Sequence, residues 1–287
     1  MVDVSHEREA LSQLALKSQQ IIEIEDVQSR ADHRMIPIDR VGVNDIQYPI
    51  RVMDRDGNLQ STVANLSMSV DLPHDVKGTH MSRFIEILNA YEDELGIDTL
   101  ASILGTIRER LGASSARVEA DFPYFLTRIA PVSGSKALMN YHCWLLGESG
   151  ANKDDYVLSV RVPVTSLCPC SKEISDFGAH NQRGFLTIEA RSKIRSDGTV
   201  EPMCMEDFID VAEQSASSPV YTLLKRPDER YVTMQAFENP VFVEDMVRNV
   251  ASKLKNDERL SWFSVHAENQ ESIHNHNAFA HIEWARP

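Results

Sequence analysis

Alternation of apolar and polar residues predicts two strands early in the chain, and a change of period then predicts two helices. The alternating residues are Tyr48, Ile50 and Val52 in the first strand and Leu66, Met68, Val70 and Leu72 in the second. A period of two is typical of half-buried strands, and Asp56-Gly57 between them is a turn signal. Apolar residues then recur at helical spacing over 81–88 and 100–111. Two further extended segments follow at 116–131 and 137–147.

The second half of the chain is expected to repeat this order of elements. The predicted segments are strands at 158–164 and 186–190, helices at 205–217 and 239–254, and strands at 263–267 and 278–284. Asn239-Pro240 is expected to begin the second of these helices, because proline suits the first helical turn. Each half of the chain therefore has the order ββααββ.

Two tandem ββααββ units predict an α+β fold of antiparallel sheets, with both helices of a unit on one face. The polar stretch Gly147–Asp155 separates the first unit, 31–150, from the second, 151–287. Residues 1–30 are polar and rich in Glu and Gln, so we expect a flexible N-terminal arm.

Composition and charge exclude several classes of protein. The chain has 287 residues, of which 42% are hydrophobic, and its net charge is −14 at pH 7. A negative surface disfavours general binding to nucleic acid or to anionic membranes. The sequence has neither an apolar run near the roughly 20 residues that span a bilayer nor the apolar core of a signal peptide. With four cysteines, it predicts a cytoplasmic protein whose thiols are free or metal-bound.

The most specific chemical signal is a cluster of two thiols and an imidazole in the second unit. Cys168 and Cys170 lie in Ser166-Leu-Cys-Pro-Cys-Ser-Lys172, and His180 follows in Gly178-Ala-His-Asn-Gln-Arg-Gly184. Thiolate and imidazole are ligands that first-row metals prefer, and a disulfide across Cys-x-Cys would be strained. Three such residues favour a metal with an open coordination position. The alternative is two small buried side chains and a surface histidine.

A second polar cluster, Glu268-Asn-Gln-Glu-Ser-Ile-His-Asn-His-Asn277, lies between the last two predicted strands. His274 and His276 are hard to explain by packing, so they are candidate metal ligands or acid–base groups near neutral pH. A solvated hairpin loop is the alternative interpretation.

Basic residues gather where the first helix is predicted to begin, in Lys77-Gly-Thr-His-Met-Ser-Arg-Phe84. The free N–H groups and positive dipole end of a helix favour phosphate, which Lys77, His80 and Arg83 would also attract. A plain N-cap at Thr79 with solvated basic neighbours explains the segment equally well.

Two acidic residues are weaker candidates. Glu229 would complete a metal shell with Cys168 and His180, and Glu244 would accept paired hydrogen bonds from the N–H groups of a purine. The simpler explanation for Glu229 is a charged loop between helices. For Glu244 it is an acidic residue in a first helical turn, where it compensates the helix dipole.

Together these motifs resemble the GTP cyclohydrolase I enzymes of type IB, the metal-dependent alternative to the zinc type. The resemblance runs from about Asp26 to the C-terminus. It rests on Arg40-Val-Gly-Val43, Lys77-Gly-Thr-His-Met-Ser-Arg-Phe84, Ser166-Leu-Cys-Pro-Cys-Ser-Lys172, Gly178-Ala-His-Asn-Gln-Arg-Gly184, Leu224-Lys-Arg-Pro-Asp-Glu229 and Glu271-Ser-Ile-His-Asn-His276.

The resemblance implies a tunnelling fold (T-fold), in which the sheets of ββααββ units join into a barrel with the helices outside. It also implies a homotetramer with active sites where subunits meet. The implied reaction converts GTP and water to 7,8-dihydroneopterin triphosphate and formate, the first step of tetrahydrofolate biosynthesis. Two competing functions are an NADPH-dependent nitrile reductase on the same fold and a purine-binding or zinc-stabilised scaffold without catalysis.

The resemblance also implies a role for each candidate residue. The metal ligands are Cys168, His180 and Glu229; the substrate-binding residues are Glu244, Lys77, Thr79, His80 and Arg83; the catalytic residues are Cys168, Glu271, His274 and His276; and Cys170 lies beside the metal shell. The implied partners are GTP and one divalent zinc, manganese or iron ion per site, with no nucleic acid and no membrane.

Overall fold

The computed structural model describes residues 25–91, 95–150 and 154–286. Its strands are β1 Ile38–Met53, β2 Leu59–Leu72, β3 Ala116–Ile129, β4 Lys136–Ser149, β5 Asp154–Leu167, β6 Asn181–Ser192, β7 Ser218–Pro219, β8 Leu260–Asn269 and β9 Ala278–Ala285. Its helices are α1 Met81–Ala90, α2 Ile97–Leu111, α3 Pro169–Ile174, α4 Met205–Glu213, α5 Arg226–Glu238 and α6 Val243–Leu254, and a 3-10 turn, Val27–Ser29, precedes β1. Throughout the described ranges, every helix is too short or too polar to cross a membrane.

The strands form one antiparallel sheet in the order β1-β2-β3-β4-β5-β6-β8-β9, and the two-residue β7 pairs with β5. The sheet continues through the middle of the chain, because β4 and β5 pair from His142 opposite Arg161 to Ser149 opposite Asp154. In the described part of the chain β1 and β9 are the two edge strands and do not pair with each other. The sheet is therefore open.

This architecture contradicts the predicted fold class. Two tandem ββααββ T-fold units joining into a barrel were expected, whereas the structure has one open sheet. The second half also departs from the predicted repeat, because α3 lies between β5 and β6, and β7 and α5 lie between α4 and α6.

Apolar periodicity missed these elements because they carry little of it. Helix α3 has six residues and none is buried, and α5 buries only Asp228 and Ala236 among its described residues. The other predicted strands and helices are present, but β1 begins at Ile38 and β2 at Leu59, well before the predicted Tyr48 and Leu66, while the remaining ends are shifted by a few residues. Pro240, for example, precedes α6, whose N-cap is Phe242. The division of the chain at residue 150 stays a prediction, and residues 1–24 of the predicted arm lie outside the described residues.

The core lies between one face of the sheet and helices α1, α2, α4 and α6. Alternate residues of β5 are completely buried, as Val160, Val162 and Val164 show. Helix α6 packs onto the sheet through Met246 and Val250, which are also completely buried. Burying one such side chain contributes roughly 1.5–3 kcal/mol. The same core fixes the strand ends at which the candidate site lies.

Candidate active site

Several strand ends meet at one end of the sheet around a cavity of about 340 Å³, here called the sheet-end cavity. Strands β5 and β8 end there, β6 and β9 begin there, and the first turn of α6 forms part of the wall. The cavity brings together seven residues singled out in the sequence: Cys168, Cys170, His180, Glu244, Glu271, His274 and His276.

Backbone and hydroxyl hydrogen bonds hold Cys168 next to His180. Cys168 is the N-cap of α3, and its Sγ accepts a hydrogen bond from the backbone N–H of Ser171 at 3.4 Å. The backbone N–H of Cys168 donates to the carbonyl of His180 at 3.1 Å. The backbone N–H of His180 donates to Ser171 Oγ at 3.0 Å. The two motifs that carry the thiols and the imidazole therefore form one small structural unit.

The imidazole of His180 also contacts the segment between β8 and β9. Its Nδ1 lies 3.0 Å from Ser272 Oγ, at hydrogen-bond distance. Nε2 is therefore the ring nitrogen that remains for a metal.

Glu271, His274 and His276 form an acid–base cluster on another wall of the cavity. Glu271 Oε2 lies 3.6 Å from His274 Nδ1, and the His274 and His276 ring centroids are 5.3 Å apart. The side chain of Glu271 is only 13% exposed, whereas that of His274 is 54% exposed. A half-buried carboxylate beside an accessible imidazole suits proton transfer to and from a bound ligand.

Glu244 lies in the first turn of α6, yet its neighbour Asp245 performs the capping role. Asp245 Oδ2 accepts a hydrogen bond from the backbone N–H of Phe242 at 3.1 Å. Helix capping therefore does not require Glu244, whose side chain lines the sheet-end cavity. A carboxylate in this position is able to accept hydrogen bonds from N–H groups of a ligand.

Sequence reasoning missed three polar residues of the cavity: Ser166, Gln182 and Asn269. All three are buried. Each lies on the face of its strand whose other residues belong to the core. On β6, for example, Gln182 shares its face with Leu186 and Ile188. A polar residue on the apolar side of an alternating pattern, close to a strand end, is the signal that identifies them.

The structure places the other predicted site residues elsewhere. Glu229 lies in the first turn of α5, is exposed, and is not among the residues that line the sheet-end cavity. Thr79, His80 and Arg83 line a separate cavity of about 160 Å³, and Lys77 is exposed beside it.

The basic segment has its own contacts at the start of α1. His80 is the N-cap, so the alternative of an N-cap at Thr79 is wrong. His80 Nε2 lies 3.1 Å from Asp26 Oδ2, and Arg83 donates to the carbonyl of Arg110 at 3.2 Å.

The start of α5 is fixed by Asp228, which precedes Glu229 and is completely buried. Its carboxylate accepts hydrogen bonds from the backbone N–H groups of Val132, Ser133 and Lys225, each at 2.8 Å, and from Ser133 Oγ at 2.6 Å. Burial on its own would raise the pKa of Asp228, but these hydrogen bonds hold it well below its usual range. Glu229 is therefore presented from a rigid turn.

The donor chemistry of the cavity fits a first-row metal, although one chain supplies an incomplete shell. Cys168 and His180 offer a thiolate and an imidazole, which suit zinc or iron. Within the described ranges, no three His, Cys, Asp or Glu side chains are grouped so that they could hold a metal ion. A metal held by Cys168 and His180 would therefore need at least one further ligand.

Sequence comparison shows the family. The profile of "Type I GTP cyclohydrolase folE2" matches residues 24–280. A GTP cyclohydrolase FolE2 from Geobacter sp. (strain M21) is 54% identical over 263 residues, which cover 92% of this chain and 96% of the relative. A GTP cyclohydrolase FolE2 from Nitrosococcus oceani is 53% identical over 260 residues, covering 91% and 95%. The chain belongs to the type I GTP cyclohydrolase FolE2 family.

Solved structures extend the comparison to the fold alone. Uricase from Arthrobacter globiformis aligns with a TM-score of 0.52 at 6% identity, over 86% of this chain and 93% of that one. Urate oxidase from Bacillus sp. TB-90 aligns with a TM-score of 0.51 at 11% identity, over 86% and 99%. The sheet and its helices therefore have a urate-oxidase-like arrangement.

Proposed function

We propose that this protein is a GTP cyclohydrolase I of type IB. It converts GTP and water to 7,8-dihydroneopterin triphosphate and formate, the first step of tetrahydrofolate biosynthesis. The observation that carries the proposal is the gathering of Cys168, His180, Glu244 and the acid–base cluster around one cavity, in a chain of this family.

The proposed cofactor is one divalent zinc, manganese or iron ion per site, held by Cys168, His180 and Glu229. These residues would hold the ion, which would supply a hydroxide nucleophile at neutral pH by lowering the pKa of water. Cys170 lines the same cavity and belongs beside this shell.

The protein's own groups bind GTP and move protons. Glu244 accepts hydrogen bonds from the N–H groups of guanine and fixes the base in the sheet-end cavity. Glu271 orients His274, and His274 and His276 transfer protons to and from N7 and N9 as the imidazole ring of guanine opens. Thr79, His80 and Arg83, with Lys77 beside them, bind the triphosphate.

We also propose a homotetramer with active sites shared between subunits, which the separation of these groups in one chain supports. Glu229 and the basic segment lie outside the sheet-end cavity of their own chain, so a second copy is needed to supply them. Exposed apolar side chains at the end of α3 and just after it support such a contact, since Ile174 is 84% and Phe177 95% exposed. The proposed location is the cytoplasm, where Cys168 and Cys170, both free thiols here, stay reduced.

A turnover assay tests the proposal. Chelator-treated protein is incubated with GTP, with and without added Mn²⁺, Fe²⁺ or Zn²⁺. Formate release and, after oxidation, neopterin fluorescence are then measured. We expect one or more metals to restore both products in equal amounts. GTP binding without product would indicate a purine-binding scaffold, and absence of GTP binding would favour the nitrile reductase.

A further inference from the structure

Two buried amide side chains border the sheet-end cavity, and each has an oxygen without a hydrogen-bond partner. Gln182 is 8% exposed and Asn269 is 3% exposed. Among the described residues, Gln182 Oε1 and Asn269 Oδ1 have no hydrogen-bond donor. An unsatisfied buried acceptor destabilises a fold, and both residues line the sheet-end cavity, so a donor that enters with the substrate would satisfy these oxygens.

Strand register brings the two amides together. Ser166 of β5 lies opposite Gln182 of β6, and Gly184 of β6 lies opposite Asn269 of β8. Asn269 extends over Gly184, where a Cβ would come within 2.5 Å of its Oδ1, and its Nδ2 donates to Ser166 Oγ at 2.9 Å. The hydrogen bond to Ser166 therefore fixes the nitrogen end of the Asn269 amide, and Oδ1 has no donor among the described residues.

The other end of Gln182 joins the acid–base cluster. Gln182 Nε2 donates to Glu271 Oε1 at 3.2 Å, and the second oxygen of Glu271 faces His274 Nδ1 at 3.6 Å. The backbone N–H of Gln270 donates to the carbonyl of Arg183 at 2.9 Å, which keeps Glu271 beside Gln182. One side chain therefore connects the wall of the cavity with the proposed proton-transfer groups.

A glutamine with only a structural role in this sheet has different contacts. Gln60 of β2 donates through Nε2 to the carbonyl of Phe125 at 2.6 Å and accepts through Oε1 from the N–H of Phe125 at 2.8 Å. Both ends of its amide are satisfied, whereas the Gln182 amide is satisfied only at the end that faces Glu271.

We propose that Gln182 is a positioning residue for the reaction. It holds Glu271 and, through Glu271, His274, while Gln182 Oε1 and Asn269 Oδ1 accept hydrogen bonds from donor groups of the bound substrate or of the attacking water. This proposal rests on the proposed GTP cyclohydrolase function.

The first test replaces the amide by an apolar side chain of similar length. In the metal-loaded enzyme, Gln182→Met is expected to lower kcat about 10- to 100-fold, since misplacing catalytic groups by about 1 Å costs roughly 100-fold. KM for GTP should change much less than kcat. Gln60→Met is the matched control and should leave kcat and KM at the parent values, with thermal unfolding checked for both proteins. Unchanged kcat in Gln182→Met would overturn the proposal.

A double substitution separates positioning from general stabilisation. If Gln182 acts through Glu271, adding Gln182→Met to Glu271→Gln lowers kcat little beyond the loss from Glu271→Gln alone. Losses that multiply fully would show that Gln182 does not act through Glu271. If Gln182→Met does not fold, Gln182→Glu keeps the size of the side chain but places a second carboxylate against Glu271, and it should lose kcat to a similar extent.

A substrate analogue identifies the donor. Inosine triphosphate lacks the 2-amino group of GTP, so the effect of Gln182→Met should shrink with this substrate if that amine is the donor. An equal kcat ratio for both nucleotides would exclude the 2-amino group and leave N1–H, a ribose hydroxyl or the water as the donor, and no effect with either would overturn the proposal. No turnover by the parent enzyme with any metal would overturn the proposed function and this inference together. Turnover that survives Gln182→Met unchanged would overturn the inference alone.

Discussion

At Gly184 the missing side chain leaves the space that the Asn269 amide occupies. A Cβ there would lie 2.5 Å from Asn269 Oδ1 and 3.3 Å from the carbonyl oxygen of Glu268. We expect Gly184→Ala to lower the free energy of unfolding by about 1–3 kcal/mol, because overpacking forces neighbouring groups to shift. Urea denaturation measures the change.

The control for this substitution is Gly105→Ala in α2, where a Cβ would meet no atom within 4 Å. Alanine there should raise stability by about 1 kcal/mol through helix propensity alone. A Gly184→Ala protein as stable as the parent would contradict the close approach of Asn269.

Cys168 is the residue for which metal binding and activity should fail together. Cys168→Ala removes the only proposed thiolate ligand, so bound metal and turnover should both be lost while the circular dichroism spectrum stays unchanged. Metal content is measured on the purified protein. Cys204→Ala is the control, because Cys204 lies away from the sheet-end cavity and burial raises the pKa of its thiol. Retained activity in Cys168→Ala would refute the ligand assignment.

Glu244 and Asp245 form a matched pair of neighbouring carboxylates in one helical turn. Glu244→Gln should weaken GTP binding about 10- to 100-fold, since hydrogen bonds to a charged group contribute about 1.5–3 kcal/mol, and leave the metal in place. Asp245→Asn should instead affect the cap of α6 and leave GTP affinity unchanged. Isothermal titration calorimetry distinguishes the two, and equal affinities would remove Glu244 as the purine anchor.

Residue chemistry could be predicted from the sequence where a motif is local. The Cys-Pro-Cys segment and the two histidines of the last loop were identified from spacing, and the structure brings them to one cavity. Gln182 and Asn269 were not identified, because their significance depends on which face of β6 and β8 is buried. Packing between strands decides which face is buried, and the spacing of residues along the chain does not reveal it.

At the scale of elements, α5 shows what periodicity fails to reveal. Its described residues bury little apolar surface, and the helix is held by the hydrogen bonds of Asp228. Strands of alternating pattern and helices with an apolar stripe were predicted, since each repeats its signal over many residues. The open sheet was not predicted, because strand pairing is a non-local property. Examples are the pairing of β4 with β5 and, in the described part of the chain, the position of β1 and β9 at the two edges.

Asp228 should make the stability of the protein depend on pH. Its folded-state pKa lies below that of an unfolded chain, about 3.9, so its stabilising contribution is complete above that pH. The contribution is lost as the pH falls further toward the folded-state pKa. We expect Asp228→Asn to melt at a lower temperature at pH 7, and this difference to narrow below pH about 4.

Melting temperatures measured between pH 3 and 7 check this prediction. The control, Asp56→Asn, lies in the exposed turn between β1 and β2 and should follow the parent at every pH. A constant difference between Asp228→Asn and the parent across this range would show that ionisation of Asp228 does not contribute.

At the scale of the whole molecule, the proposed ligands are divided between two surfaces of one chain. Cys168→Ala and Glu229→Ala should each be inactive, yet co-assembled subunits of the two variants should regain activity. Random assembly gives about one quarter of the sites an intact pair when the two ligands come from different copies. The variants are mixed after mild dissociation, and formate release is measured.

Mixing each inactive variant with itself is the control for this experiment. Co-assembly without any recovery would show that a single chain supplies both groups. Recovery close to one quarter would support shared sites and would explain why Glu229 does not line the sheet-end cavity of its own chain.

The hydrogen bond from Asn269 to Ser166 joins residues 103 positions apart along the chain. The wall of the cavity therefore forms only after three separate strands, β5, β6 and β8, have paired in register. Loop-closure entropy makes such distant pairings slow compared with local helix formation. After dilution from denaturant, turnover should therefore recover more slowly than the far-ultraviolet circular dichroism signal of the helices. The recovery of catalysis would then report the last step of refolding.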